Sequence, residues 1–363
     1  MKVLSVGVDS LVVGFNVINY KTDFEDLERA KADAGAKLFA NKDITLNWHG
    51  QPFAVHAKGT KGYEWVIENA DVSICIARKP ENGRIYPELY VTFRSTYLWA
   101  KGHKKAFEEV SAWLETWANI GGNKVSRVDL CMDMEMRLPK IDMAVNIVAR
   151  ARNKAEYTEY TAEKYTSGLR DTGYKIGCGC LVARIYDKTA EVKVSQKEWF
   201  YSIWKNGGWD MVTPVTRIEF QLRRELLKGY QVITFEDLII ALPDIWRYSA
   251  NDWVSIRVPG RDKQRTRWQM TDWWQVVSKG YVNYGETLGL IRETQSRVRY
   301  EHLMAQARGV MMSAVAIMGI RTDCERSKDK LFMEISEWLY SIETKTEIER
   351  RRLRYGEMAL TSV

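Results

Sequence analysis

Several common sequence features are missing from this chain. No apolar run approaches about 18 residues, so we expect no membrane-spanning helix. The first residues lack the charged-then-apolar pattern of a signal peptide, so we expect a cytoplasmic protein. No Walker-type glycine loop is present, and an intrinsic helicase motor of that type is therefore not expected.

Histidine and cysteine are scarce and scattered. The four histidines include no His-x-His pair, which disfavours a zinc-dependent or histidine-ligated nuclease site. The five cysteines form an odd, dispersed set that does not resemble a disulfide framework. Cys178 and Cys180 are separated by one glycine, but no second cysteine pair and no spaced histidine pair accompanies them. We therefore predict structural thiols rather than a zinc site.

The composition does favour a particular kind of partner. The formal net charge is +7 and the pI is about 9.0, which indicates a polyanion, with nucleic acid as the leading candidate. At 363 residues and 45% hydrophobic content, the chain is long enough for a well-buried core and for two or three domains.

Hydrophobic periodicity predicts an α+β fold followed by a helical C-terminal region. We expect a mostly antiparallel sheet built from split β-α-β halves of the RRM or ferredoxin-like kind, with helices on one face and the other face free for nucleic acid. The predicted division is a catalytic α+β domain at 1–235 and a helical region at 236–363. Helices are predicted at 23–38, 104–118, 141–152, 196–205, 235–246, 271–278, 286–307 and 328–354.

Three separated segments carry charged or polar residues at every second position, with apolar residues between them. They are Arg127-Val-Asp-Leu-Cys-Met-Asp133, Arg184-Ile-Tyr-Asp-Lys188 and Arg217-Ile-Glu-Phe-Gln-Leu-Arg223. Strand side chains alternate between faces, so each segment presents its charges on one side and core residues on the other. If the strands pair, carboxylates, a tyrosine and cations share one sheet face, an inventory that suits phosphoryl transfer.

Another interpretation of the same pattern stays open. An antiparallel sheet with one solvated face also alternates charged and apolar residues, and its cross-strand Arg–Glu pairs are ordinary. A strand tyrosine such as Tyr186 more commonly stacks over a neighbour than acts as a nucleophile. Rival tyrosines are Tyr157, Tyr160, Tyr165 and Tyr174.

The order and spacing of the three segments resemble the replication initiation factor family, the rolling-circle initiators of plasmids and phages often called Rep_trans proteins. The family pattern is an Arg-x-Asp strand, a glycine-containing hairpin leading into Arg-x-Tyr-x-Lys with an acidic residue soon after, and an Arg-x-Glu strand. The matching residues are Arg127 and Asp129, then Gly177 and Gly179 before Arg184-Ile-Tyr186-Asp-Lys188 with Glu191, and then Arg217 and Glu219.

The resemblance implies an enzyme that nicks one DNA strand at an origin and becomes linked to the 5′ phosphate through Tyr186. It also implies a divalent cation, Mg²⁺ or Mn²⁺, held by Asp129 and Glu219 with Asp133 as a further candidate. The implied partner is single-stranded or cruciform origin DNA, with a host helicase and a second copy of the chain as further candidates.

The chemistry can also be argued from the residues alone. A tyrosine hydroxyl has an ordinary pKa near 10, so it needs cations or a metal ion close by to favour its anion. Arg184 and Lys188 are the cations two positions away on the predicted strand. Mg²⁺ and Mn²⁺ prefer oxygen ligands, which agrees with carboxylates rather than histidines.

Basic and aromatic residues mark further candidate DNA contacts. Arginines beside a tryptophan can hold phosphates while the indole stacks on an unpaired base. Trp273 and Trp274 are read either in this way or as anchors of a helix. The candidate DNA contacts are Arg127, Arg217, Arg223, Arg257, Arg261, Lys263, Arg265, Arg267 and Trp268.

Two other functions remain open. A non-catalytic replication or transcription regulator would need the basic surface but not Tyr186, Asp129 or Glu219, whose carboxylates repel phosphate unless a metal ion is bound. A structural or interaction protein would use the amphipathic segments 286–307 and 328–354.

Overall fold

A computed structural model describes residues 1–36, 44–80, 86–151, 154–158, 171–195 and 197–284, together with Met333, Ser336 and Glu337. Contacts divide the chain into two compact units, Met1–Glu293 and Thr294–Val363. The fold and site described below belong to the first unit. The helices predicted at 286–307 and 328–354 lie outside the described residues, and the boundary predicted at residue 235 stays a prediction.

The fold is α+β with a large antiparallel sheet, as the periodicity predicted. Strands β1 to β7 are Lys2–Tyr20, Ile44–Trp48, Gln51–Val55, Trp65–Glu68, Val72–Ile76, Leu89–Phe93 and Ala118–Glu135. Strands β8 to β13 are Ile147–Ala149, Lys154–Thr158, Asp171–Ile176, Leu181–Asp187, Val215–Arg223 and Val254–Ile256. Helices α1 to α8 are Glu25–Ala36, Ser95–Lys101, His103–Trp117, Lys188–Ser195, Trp199–Asn206, Arg224–Lys228, Phe235–Arg247 and Asp272–Ser278.

Eleven strands form one sheet in the order β2-β3-β4-β5-β6-β1-β7-β12-β11-β10-β9, and β13 pairs with β8 in a second, two-stranded sheet. The long strands β1 and β7 pair along nearly their whole lengths, with β-bulges that include one between Val8 and Ser10. This bulge adds Asp9 to β1 beside the charged part of β7.

One face of the central strands carries the hydrophobic core. Leu130, Phe220 and Ile185, from β7, β12 and β11, are completely buried on this side, which we call the core face. Helices α3 and α7 cover it, and Phe107 of α3 stacks on Phe235 of α7 with ring centroids 3.9 Å apart. A capping box between Thr234 and Asp237 begins α7. The predicted helix at 235–246 is thus confirmed.

The opposite face carries the charged residues, and we call it the site face. Trp99 of α2 and Phe200 of α5 cover part of it, with the Arg217 guanidinium 5.8 and 4.6 Å from their ring centroids. The free face expected from the sequence is therefore roofed at one end. Helix α2 was not predicted at all.

The helix predicted at 141–152 is wrong. The Asp142 carboxylate accepts hydrogen bonds from the backbone N–H groups of Ala144 and Val145, which stabilises a turn in place of a helix. The following strand, β8, then pairs with β13. No helix among the described residues is long and apolar enough to span a bilayer.

Candidate functional site

The strand register arranges the charged positions in rows across the site face. Neighbouring strands are antiparallel and in continuous register from β7 through β12 to β11, so residues two apart on each strand fall in successive rows. The rows are Arg127–Arg223, then Asp129–Gln221, then Cys131–Glu219–Arg184–Lys175, and finally Asp133–Arg217–Tyr186–Gly173. The three segments identified in the sequence are therefore adjacent.

The last row is a buried ion-pair network. Arg217 donates from Nε and Nη2 to the two carboxylate oxygens of Asp133, at 2.6 and 2.8 Å, and from Nη1 to Asp9 Oδ1 at 2.8 Å. Burial opposes the charge of Arg217, but the Asp133 carboxylate and its acidic neighbours hold its pKa well above the ordinary value. Arg217 is fully buried and each of its three nitrogens donates to a carboxylate, which argues against the predicted DNA contact.

Asp133 is occupied in the same way. Its Oδ2 also accepts from the Trp204 indole N–H at 2.8 Å and from the Ser5 hydroxyl at 3.0 Å. The side chain is completely buried. A carboxylate with this many donors has little capacity left for a metal ion, which argues against the predicted ligand role of Asp133.

Asp9 is a site residue that the sequence analysis missed. Its Oδ1 accepts from the Ser95 hydroxyl and the Trp99 indole N–H, each at 2.9 Å, besides Arg217. Burial alone would raise its pKa, but Arg217 and Lys188 hold it below the ordinary value. A signal was available, because Asp9 is the one acidic residue in the apolar run of β1, and a buried charge needs a partner.

Tyr186 lies between this network and the open part of the site face. Its hydroxyl donates to Glu219 Oε2 at 3.1 Å, and the residue is 9% exposed. Burial and the Glu219 carboxylate raise its pKa well above the ordinary value, while Arg217 acts in the opposite direction. Tyr186 is therefore a neutral hydrogen-bond donor at rest.

The two cations predicted to assist Tyr186 differ in position. Arg184 donates from Nη1 to Glu219 Oε1 at 2.9 Å, so it contacts the same carboxylate as the tyrosine. Lys188 begins α4 rather than continuing the strand. It pairs with Glu191, and its Nζ lies 5.7 Å from the Tyr186 ring centroid and 4.6 Å from that of Phe200.

The rival tyrosines are separated from this site or lie outside the described residues. Tyr174 pairs with Ile185, which places it on the core face, and its hydroxyl accepts the backbone N–H of Ile141 at 3.0 Å. Tyr160 and Tyr165 lie outside the described residues. Tyr157 is part of β9, and its backbone pairs with Gly173.

Asp129 and Glu219 lie in the two rows before the Asp133–Arg217 row, and each is paired with a partly exposed arginine. Arg127 binds both oxygens of Asp129 through Nε and Nη2, and Arg184 binds Glu219 and Gln221. Burial, reinforced by the Glu219 carboxylate and opposed by the Arg127 hydrogen bonds, raises the pKa of Asp129 to about 6. The Glu219 charge disfavours the ionised form of Asp129, and a divalent cation bound to both carboxylates would offset this repulsion.

A magnesium or manganese ion fits this pair of carboxylates only in part. Within the part of the chain that the structure describes, no three acidic, histidine or cysteine side chains form a cluster that could hold a metal ion. Mg²⁺ commonly binds through one or two carboxylates, completing its shell with waters and substrate phosphates. Asp129 and Glu219 supply such a pair, so they would hold the ion together with a substrate phosphate.

Several side chains of the basic loop at 257–268 are held by hydrogen bonds, within the loop or to neighbouring segments. Arg257 donates to the Trp268 carbonyl and to Ser255, and Arg265 donates to the Val145 and Ile147 carbonyls. The Trp268 indole N–H donates to the Asp262 carbonyl at 2.7 Å, with the Arg265 guanidinium 5.5 Å from its ring. The exposed cations of the loop are Arg261, Lys263 and Arg267.

The two tryptophans after the loop are structural. Trp273 and Trp274 of α8 are buried, and the Trp274 indole N–H donates to the Ala250 carbonyl at 2.8 Å. The helix-anchor interpretation of these residues is therefore the correct one.

Comparison with known proteins adds a weak structural similarity. No protein-family model matches the sequence, and no curated protein matches it. Among solved structures, the chain is similar to a rolling circle replication initiator protein from Geobacillus stearothermophilus, with 16% identity, 77% of this chain and 97% of that chain covered, and a TM-score of 0.44. A similarity at this level carries no weight for fold or function.

Proposed function

We propose that the chain is a rolling-circle replication initiator that nicks and rejoins single-stranded DNA, with Tyr186 as the nucleophile. The observation that carries the proposal is the hydrogen bond from Tyr186 to Glu219, a carboxylate that also holds Arg184. The tyrosine therefore has a proton acceptor, Glu219, in direct contact, and a phosphate-binding cation, Arg184, on the same carboxylate. Both are needed for attack on a phosphodiester.

The reaction follows from these groups. The Tyr186 oxygen attacks phosphorus while its proton passes to Glu219, and the bond from phosphorus to the 3′ oxygen breaks. The 3′ oxygen takes a proton from water and becomes a free hydroxyl, while the 5′ phosphate stays on the tyrosine. Because burial raises the pKa of Tyr186, the hydroxyl is neutral before the attack, and its proton leaves as the new bond forms. Reversal rejoins the strand without ATP.

A divalent cation at Asp129 and Glu219 would polarise the scissile phosphate when bound. The residues of the chain do the remaining work. Arg127 and Arg184 neutralise phosphate charge, and the Trp99 and Phe200 rings shield the Arg217 ion-pair network next to Tyr186 from water.

One observation favours a second candidate, a DNA-binding regulator without catalysis. Tyr186 is 9% exposed and its hydroxyl is engaged by Glu219, so a phosphate reaches the hydroxyl only if neighbouring side chains move. Such a regulator would use the same basic residues and leave Tyr186 as a structural hydrogen-bond donor.

An adduct assay distinguishes the two candidates. Single-stranded oligonucleotides covering the DNA molecule that encodes the chain are labelled at the 5′ or the 3′ end and incubated with Mn²⁺ or Mg²⁺. A 5′-phosphotyrosine link transfers the 3′ label to protein as an SDS-resistant adduct and releases the 5′ label as a shortened strand. We expect this adduct to need the metal ion and to disappear in Tyr186→Phe.

The matched control is Tyr174→Phe, which removes a buried hydroxyl from the other face of the sheet. We expect it to keep the adduct. An adduct that persists in Tyr186→Phe would assign the nucleophile to another tyrosine. Tight DNA binding without any adduct would favour the regulator.

A further inference from the structure

The two carboxylates of the site are nearly buried, and each is paired with a more exposed arginine. The Asp129 side chain is 5% exposed and that of its partner Arg127 is 37% exposed. The Glu219 side chain is 10% exposed and that of Arg184 is 29% exposed. A cation that binds these carboxylates has to replace both ion pairs.

Each of these arginines also faces another cation across the sheet. Arg127 is directly opposite Arg223, and Arg184 is directly opposite Lys175. Like charges at directly opposed positions repel one another, and a shared anion removes the repulsion. The same two arginines therefore contact carboxylates on one side and belong to cation pairs suited to phosphate on the other.

We infer that Arg127 and Arg184 exchange partners when a divalent cation binds Asp129 and Glu219. The two arginines then release these carboxylates and bind DNA phosphates instead. This inference rests on the proposed function and concerns the regulation of its site. The exchange makes metal and DNA binding mutually dependent, because each ligand takes the partner that the other releases. By linkage, DNA raises the affinity for the cation by the same factor as the cation raises the affinity for DNA.

The exchange has a functional consequence for the nick. Without DNA, the arginines satisfy the carboxylates and the cation binds weakly. Without the cation, the arginines stay on the carboxylates and the phosphates are bound by the outer cations, Arg223 and Lys175. The site assembles only when both ligands are present. Free metal ion in the cell therefore does not occupy the site without DNA.

The coupling is measured by titrating Mn²⁺ calorimetrically into the full chain, with and without a saturating single-stranded oligothymidylate. We expect the Mn²⁺ dissociation constant to fall about tenfold when the oligonucleotide is present. In Arg127→Gln, we expect Mn²⁺ to bind about tenfold more tightly without DNA and the gain from DNA to shrink to about threefold or less. Arg184→Gln is the second variant and has the same expected direction.

Arg223→Gln is the matched control, because Arg223 lies opposite Arg127 on the same face. We expect it to weaken oligonucleotide binding while leaving DNA-free Mn²⁺ affinity within about twofold of the unaltered chain. A cooperative thermal unfolding transition is used to check that each variant is folded.

The outcomes separate the inference from the proposed function. If Mn²⁺ binds the unaltered chain equally well with and without DNA, the partner exchange is overturned, while nicking through Tyr186 stands. If Mn²⁺ binds under neither condition, the metal site itself is overturned and the exchange with it. If Arg223→Gln changes DNA-free Mn²⁺ affinity as much as Arg127→Gln, the effect is general electrostatics and the exchange is again overturned.

Discussion

Arg217 and Asp133 form a bidentate ion pair between neighbouring strands, with Nε–Oδ1 and Nη2–Oδ2 distances of 2.6 and 2.8 Å, and both side chains are completely buried. Breaking such a pair leaves an uncompensated charge inside the protein. These residues therefore support the sheet next to Tyr186. We expect their substitution to lower the stability of the fold, whatever its effect on activity.

We expect Arg217→Met to lower the free energy of unfolding by about 3–5 kcal/mol, because Asp133 and Asp9 would lose their common partner. Urea denaturation measures the change. Arg223→Met on the same strand is exposed and should cost less than about 0.5 kcal/mol. A similar small cost for Arg217→Met would contradict the proposed support role.

A second prediction concerns the close approach of Trp99 to β1. A Cβ atom at Gly7 would lie 3.0 Å from the nearest ring atom of Trp99, and the ring is fixed by its hydrogen bond to Asp9. We expect Gly7→Ala to destabilise the protein by about 1–3 kcal/mol. The control, Gly35→Ala in α1, meets nothing within 4 Å and should stabilise the protein by about 0.5–1 kcal/mol. Thermal unfolding compares the two, and equal effects would refute the packing role of Trp99.

The basic loop gives a prediction about DNA affinity. Arg261 and Lys263 are exposed, whereas Arg257 is held by the Trp268 carbonyl. We expect each of Arg261→Gln and Lys263→Gln to reduce the slope of log affinity against log salt by about one on single-stranded DNA. Fluorescence anisotropy at several salt concentrations measures the slope. An unchanged slope in both variants would remove the loop from the DNA-binding surface.

The pH dependence of stability should show the effect of His103 at the start of α3. Burial, with a smaller contribution from Lys104, lowers its pKa to about 4 from an ordinary 6.5. The unfolded chain therefore binds a proton before the folded chain does, and stability falls as the pH falls from 6.5 through 4. We expect His103→Gln to reduce the acid-induced loss of Tm by about 5 °C, equivalent to about 2.5 kcal/mol in a chain of this size. Calorimetric scans at pH 7.5 and 4.5 check this, and an unchanged loss would show that other groups cause it.

Much of the site face could be predicted because its signal is local. Alternation on β7, β11 and β12 is a period-two pattern, and it correctly places Asp129, Tyr186 and Glu219 on one face. The same pattern could not show what covers that face. Arg217 and Asp133 occupy the same kind of alternating position in the sequence as Glu219 and Arg223. They are nevertheless completely buried, beneath side chains of α2 and α5.

The remaining differences have the same physical origin. Asp9 enters the site through a β-bulge, and the register of β1 against β7 depends on pairing between residues more than a hundred positions apart. The turn at Asp142 replaced a predicted helix because a single carboxylate binds two backbone N–H groups. Neither effect follows from hydrophobic periodicity.

The central place of β1 in the eleven-stranded sheet affects how the protein is made. Its two neighbours, β6 and β7, begin at Leu89 and Ala118, so β1 leaves the ribosome long before either strand can pair with it. Until then, its apolar run has both edges unpaired, and such edges readily pair with other chains. Chaperones that bind extended apolar segments would therefore act on this chain early, and its yield on overexpression would depend on how quickly β7 is completed.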